Sequence, residues 1–330
     1  MSKVTIIGTT SWGNVLGGLL ASKGIAVELW ARTEAEAREL NREDYNSKFL
    51  QAGSHRSFTS NMDEAMAGTD LVIWAVPSRS LRENVRQTRD YLIASMILMS
   101  AAKGLEADTG KRMSEIVAEE ISPELRGQVC ILSGPNLARE VGQGLPAASV
   151  IAARNRGVAK RARELIESPN FCIFISNDVV GVELCGALKN IIALGAGMVD
   201  GLALGDNTKA AFIALGWAEA ISLGLALGAK NATFYGIAGL GDLMATCASP
   251  LSRNHSVGFE LAKGRSLNEI TSSASQATEG IAAAAAAHQL AQKVRVKTPI
   301  MNLIYQVLFE ALAPSEAFEQ IKGLKFKRVS

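Results

Sequence analysis

A large excess of charge of either sign is missing from this 330-residue chain, in which 34 Lys and Arg face 32 Asp and Glu for a formal net charge of +2. The basic residues are spread along the chain, so it carries no field able to neutralise a nucleic-acid backbone, and nucleic acid is not an expected partner. Cysteine is scarce. Cys130, Cys172, Cys185 and Cys247 form no C-x-x-C pair and stand beside no histidine at metal-ligand spacing. That excludes a recognisable metal motif and suits a reducing compartment. Histidine is scarcer still: His55, His255 and His288 fall in no catalytic pattern, so acid–base chemistry is expected from lysine or carboxylate. No apolar run matches the roughly 18 to 20 residues of a membrane span. The richest stretch, IIALGAGMVDGLALG, is broken by Asp200 and four glycines, so no stable membrane insertion is expected. The start, MSKVTIIG, passes from one lysine into a strand-like run and lacks the long apolar core of a signal peptide, which points to a cytoplasmic protein.

What is present suits a globular chain of about two domains, at 48% hydrophobic and 20% charged residues. In the first half, short β-branched runs alternate with stretches of helical period. The runs are 3–8, 26–31, 71–76, 96–101 and 128–133; the helical stretches are 12–23, 34–42, 79–90, 110–120 and 136–142. Two further runs, 148–153 and 171–176, bracket a helical stretch at 156–167. This pattern predicts an α/β fold, a Rossmann-like parallel sheet wrapped by helices. From about residue 178 onward Ala, Leu and Gly recur at helical spacing, including six alanines at 282–287. The expected organisation is a dinucleotide-binding domain at 1–177 followed by an all-α substrate-binding domain at 178–330.

The first motif, Gly8-Thr9-Thr10-Ser11-Trp12-Gly13, follows the first strand and opens a helix, the context of a dinucleotide-binding turn. Thr10 occupies the middle glycine position, where a side chain is expected to crowd the phosphates. At the end of the second strand, where an acidic residue marks NAD specificity, stands Ala31-Arg32; Glu28 falls early, within the strand. An arginine fork suits a 2′-phosphate, so NADP is expected as cofactor alongside NAD. Other strand ends carry Val76-Pro77-Ser78, Ser100 to Glu106 with Lys103 among small residues, and Leu132 to Asn136. Ligands gather at such ends. In the second half, Lys189 and Asn190 interrupt an apolar helix, Asp242 follows Gly239-Leu240-Gly241, and Ser252-Arg253-Asn254 suits a phosphate. A lysine with a carboxylate and an arginine supplies a proton donor, an orienter and a charge clamp. A reductase acting on a hydroxy or sugar acid, or a nucleotide-binding protein without turnover, would share parts of this set.

The motifs SAAKGLE, LSGPNLAREV, GVELCGALKN, GDNTKAAFI, GLGDLMATC and SPLSRN, in that order, closely resemble the bacterial-type NAD(P)-dependent glycerol-3-phosphate dehydrogenases, from about Val4 to about Glu310. The resemblance implies that Ser11, Trp12, Arg32 and Ala138 contact the dinucleotide, with Lys103, Arg253, Ala277 and Glu279 completing its site. It implies Gly134, Asn136, Ser252, Arg253 and Asn254 around dihydroxyacetone phosphate or sn-glycerol 3-phosphate. Lys189, Lys103 and Asp242 would be the catalytic group, all three touching substrate, with Lys189 exchanging the proton and Asn190 and Thr246 in support. No metal is implied. A role in phospholipid synthesis and a homodimer are the further expectations. Thr10, Asn136, Ala277 and His255 depart from the residues usual in that family.

Overall fold

The computed structural model describes residues 2–42, 56–249, 252–273 and 279–323. Eight strands form one sheet: β1 (Lys3–Ile7), β2 (Ala26–Trp30), β3 (Arg56–Thr59), β4 (Leu71–Trp74), β5 (Ile97–Ser100), β6 (Val129–Ser133), β7 (Ala147–Ala153) and β8 (Phe171–Ser176). Their order is β3-β2-β1-β4-β5-β6-β7-β8, and every neighbouring pair is parallel except β6 with β7. The reversal at β7 departs from the all-parallel expectation. A parallel return needs a crossover long enough to traverse the sheet. Between Ser133 and Ala147 the chain instead makes a loop and the short helix Ala138–Gly142, then comes back beside β6. Strand β3 is absent from the sequence reading because its four residues, Arg-Ser-Phe-Thr, form a polar edge pairing with β2 alone.

The central strands are buried on both faces, as parallel strands sandwiched by helices must be. Leu71–Trp74 and Ile97–Ser100 are enclosed throughout. Side chains alternate between two cores. Ile6, Leu29 and Ile73 pack with Leu16 of the helix Ser11–Ser22, while Ile7, Val72 and Trp74 pack with Leu81 and Val85 of the helix Leu81–Thr88. The expected helix at 79–90 is shortened because Ser78–Ser80 forms a 3-10 turn at the strand end. Likewise the helix expected from 110 begins at Met113, and that expected from 136 begins at Ala138.

The second half is built on the helix Val179–Gly201. Asp178 caps it, accepting the Gly181 N–H at 2.9 Å, and also accepts the N–H of Lys230 and the hydroxyl of Thr233, which fixes where the helix starts. Such a cap stabilises by about 1 kcal/mol. Every residue of this helix except Val180 and Asp200 is buried. By length and composition it could cross a membrane, as could Asp206–Ala226, although Glu183, Lys189 and Asp200 interrupt its apolar run. Here the helix is a core element, wrapped by Asp206–Ala226, Asp242–Ala248, Arg253–Ala262 and Glu279–Val294. The alanine run lies in the last of these, with Ala283, Ala284, Ala286 and Ala287 buried. Glu219, also buried, accepts the N–H groups of Ile300 and Met301 at 2.9 and 3.0 Å, which docks the helix Pro299–Phe309.

Glycine explains the closest crossing. A methyl group on Gly258 would lie 1.8 Å from the Leu194 carbonyl oxygen, and one on Gly197 would lie 1.9 Å from that of His255. Backbone therefore meets backbone where Val179–Gly201 crosses Arg253–Ala262. Gly258→Ala is expected to destabilise the fold by about 1–3 kcal/mol through overpacking. Calorimetry checks this; an unchanged melting temperature would contradict the crossing.

Candidate functional site

The carboxyl ends of β1, β4, β5 and β6 open into one cleft of about 700 Å³, closed on the other side by the helical half. Lys103 enters from the segment after β5, and Lys189 from the middle of Val179–Gly201. Asp242 heads the helix Asp242–Ala248, directly after a single π-helical turn, Ile237–Gly241. Gly239 permits that turn, since a methyl group there would sit 2.3 Å from the Phe234 carbonyl oxygen.

These three elements converge on one carboxylate. Lys189 Nζ donates to Asp242 Oδ1 at 2.7 Å, and Lys103 Nζ to Asp242 Oδ2 at 2.8 Å. Lys189 also donates to Thr246 Oγ1, and Lys103 to the Gly134 carbonyl at 2.5 Å. Thr246 is itself anchored to the Asp242 carbonyl at 2.6 Å. The Asp242 side chain is 2% exposed and that of Lys189 7%, while Lys103 reaches 17%, so Lys103 is the more open to the cleft. Burial pushes the Lys103 ammonium down to about 8, with Asp242 opposing that fall and the second ammonium adding to it. The group is two cations sharing one anion, a cluster suited to receiving negative charge.

Asn190, beside Lys189, donates to the Gly186 carbonyl and accepts from Asn254 at 2.9 Å. Asn254 also accepts the Gly280 N–H at 2.9 Å, so it joins three helices. Ser252 caps the helix Arg253–Ala262, and Arg253 lines the cleft beside both. His255 lies on the far side, with Nε2 2.7 Å from Asp200, which Lys209 also meets. At the opposite wall Asn136 donates to Ser149 Oγ at 3.1 Å, and its Oδ1 is buried without a partner among the described residues. An acceptor so placed fits a ligand donor.

The other end of the cleft is built by β1 and β2. Ser11 and Trp12 head the helix after β1 and line the cleft, where the first N–H groups of a helix favour an anion. The Thr10 hydroxyl is spent within the protein, donating to the Ala75 carbonyl at 2.7 Å and accepting from the Gly13 N–H at 3.1 Å. It therefore caps the helix in place of projecting as a free side chain. Arg32 and Ala138 line the same cleft. Glu28 stays inside β2, held by Ser57 and Lys3. Glu279 begins the helix Glu279–Val294 and accepts the Ser78 N–H at 3.0 Å and its hydroxyl, so the second half grips the loop after β4. Burial raises its carboxyl, with the two Ser78 bonds and Arg253 among the groups opposing that rise. Ala277 lies outside the described residues.

Comparison with known proteins decides the family. Profiles for the NAD-dependent glycerol-3-phosphate dehydrogenase N-terminus and C-terminus match residues 3–159 and 178–319. The chain belongs to that family. A Dehalococcoides mccartyi protein named glycerol-3-phosphate dehydrogenase (NAD(P)+) is 49% identical over 97% of this chain and 90% of its own length. One of the same name from Geobacter metallireducens is 42% identical over 93% of each chain. The crystal structure of glycerol-3-phosphate dehydrogenase from Coxiella burnetii superposes with a TM-score of 0.89 at 33% identity, over 98% of this chain and 99% of that one.

Within this family framework, two features escaped the sequence reading. Glu183, six residues before Lys189, is buried and accepts from Arg112, the Ser114 N–H and the Ser114 hydroxyl at 2.6 to 2.7 Å. It braces the helix of Lys189 against the segment that follows Lys103. Glu36 reaches the nucleotide end of the cleft from the helix Glu34–Leu40. Thr33-x-x-Glu36 reads in sequence as an ordinary helix start, which hid it.

Proposed function

We propose that this protein is an NAD(P)-dependent glycerol-3-phosphate dehydrogenase, interconverting dihydroxyacetone phosphate and sn-glycerol 3-phosphate. The observation that carries the reading is the buried Asp242 carboxylate shared by Lys103 and Lys189, two lysines that line a cleft together with Ser252, Arg253 and Asn254. Residues 1–177 form the dinucleotide-binding domain and 178–330 the substrate-binding domain, each lending residues to the other's ligand. Ser11, Trp12, Arg32, Lys103, Ala138, Arg253 and Glu279 hold NAD or NADP, whose nicotinamide supplies the hydride.

Arg253 clamps the substrate phosphate at the head of its helix, with Ser252 and Asn254 beside it, which positions the ketone and lowers the entropic cost of alignment. Gly134 and Asn136 border the substrate on the sheet side, with the free Oδ1 of Asn136 accepting from a substrate hydroxyl. As the carbonyl oxygen gains negative charge, Lys189 gives it a proton and Lys103 opposes the charge. Asp242 holds both ammonium groups in place. Lys189, left neutral, recovers its proton from water. The product fits the supply of the glycerol phosphate backbone for phospholipid synthesis in the cytoplasm.

Oxidation of NADH and NADPH is expected with dihydroxyacetone phosphate and not with unphosphorylated dihydroxyacetone. Lys189→Ala should lower turnover about 10²- to 10⁴-fold while circular dichroism shows a normal fold. Turnover of both ketones alike, or near-normal turnover of the variant, would overturn the assignment.

A homodimer is proposed from large apolar side chains left open on the helical half, among them Leu225, Tyr235, Leu240 and Met244. Light scattering should give twice the 34.9 kDa chain mass; a monomer at micromolar concentration would contradict it.

A further inference from the structure

Two residues of opposite charge follow the end of β2. In a sheet of this kind the pyrophosphate rests on the helix after β1, and the adenosine ribose reaches the end of the next strand. There Arg32 is exposed, while Glu36 is half-buried in the first turn of Glu34–Leu40, and both line the cleft. The Glu36 carboxylate has a fixed position. Its Oε1 accepts from Thr9 Oγ1, in the turn after β1, at 2.5 Å; its Oε2 accepts from the Arg32 N–H at 3.1 Å. Its own N–H is taken by the Thr33 hydroxyl at 3.2 Å.

Those bonds stretch the carboxylate between the two strand ends that a bound nucleotide must pass. A carboxylate offers about four lone-pair sites, so two remain for further donors. Among the described residues no lysine, arginine or histidine forms an ion pair with Glu36. The charge therefore faces the ribose pocket uncompensated. A ribose 2′-hydroxyl is a donor and matches it; a 2′-phosphate is a multiply charged acceptor and is repelled, and a single exposed arginine must offset that repulsion.

We propose that Glu36 is the specificity-determining residue for the dinucleotide and that it makes this protein favour NADH over NADPH. This rests on the dehydrogenase reading above. Arg32 then serves mainly as a flat surface against adenine. The spacing that directs attention to about 20 residues past the glycine turn lands on Glu28 and Arg32, and passes over a carboxylate brought back from the next helix.

The test is equilibrium titration of the purified full-length protein with NADH and with NADPH, without substrate, by calorimetry. The unsubstituted protein should bind NADH about tenfold more tightly than NADPH, and Glu36→Gln, of nearly the same shape, should move the ratio about tenfold toward NADPH. Tighter binding of NADPH by the unsubstituted protein overturns the proposal even if the variant does not fold. An unchanged ratio in a folded variant does the same. Since binding is read without turnover, a protein that binds NADH selectively but fails to reduce dihydroxyacetone phosphate would refute the proposed reaction and leave the role of Glu36 standing.

Discussion

A carboxylate held between two ammonium groups is the constraint on which the rest of the structure depends. Two lysines cannot share a mostly buried site unless an anion lies between them, because each charge removed from water costs several kcal/mol and like charges add to the cost. Asp242, with one oxygen on Lys103 and the other on Lys189, meets that condition. Its partners come from different parts of the chain: the segment after β5, the middle of Val179–Gly201, and the helix that follows the π-helical turn. The sheet and the helical half must therefore stay in register.

Several contacts maintain it. Glu183 with Arg112 and Ser114 ties the helix of Lys189 to the segment after Lys103. Glu279 with Ser78 ties the last cleft helix to the end of β4, and Asn254 joins three helices beside Ser252 and Arg253. The crossing at Gly197 and Gly258 draws the helix of Arg253 against that of Lys189 at backbone distance. Small residues in the second half thus determine how near Arg253 stands to Lys189.

The sequence makes much of this legible. Short β-branched apolar runs locate seven of the eight strands, because central strands buried on both faces must be continuously apolar. They miss β3, whose polar Arg-Ser-Phe-Thr suits an edge, and they cannot show the reversal at β7, since strand direction depends on the length of the connection. Lys103, Lys189 and Asp242 stand out as charges among small or apolar residues, and the structure brings all three together. Glu36, Glu183 and the capping role of Thr10 do not stand out, because each depends on a partner distant in sequence or on a fold-back of the chain. Spacing along one strand carries no trace of a carboxylate returned from the next helix.

The central claim is that Asp242 helps to keep Lys103 charged against the effect of its burial. The pH dependence of kcat/KM for dihydroxyacetone phosphate reduction reports ionisations of the enzyme before substrate binds. Lys103 is charged below about 8 and loses its proton above it, so the rate should fall as pH rises through that region. Asp242 favours the charged form, so in Asp242→Asn the inflection should move to lower pH, with a rate loss of about 10²-fold or more. An Asp242→Asn profile with the inflection of the unsubstituted protein would contradict the account.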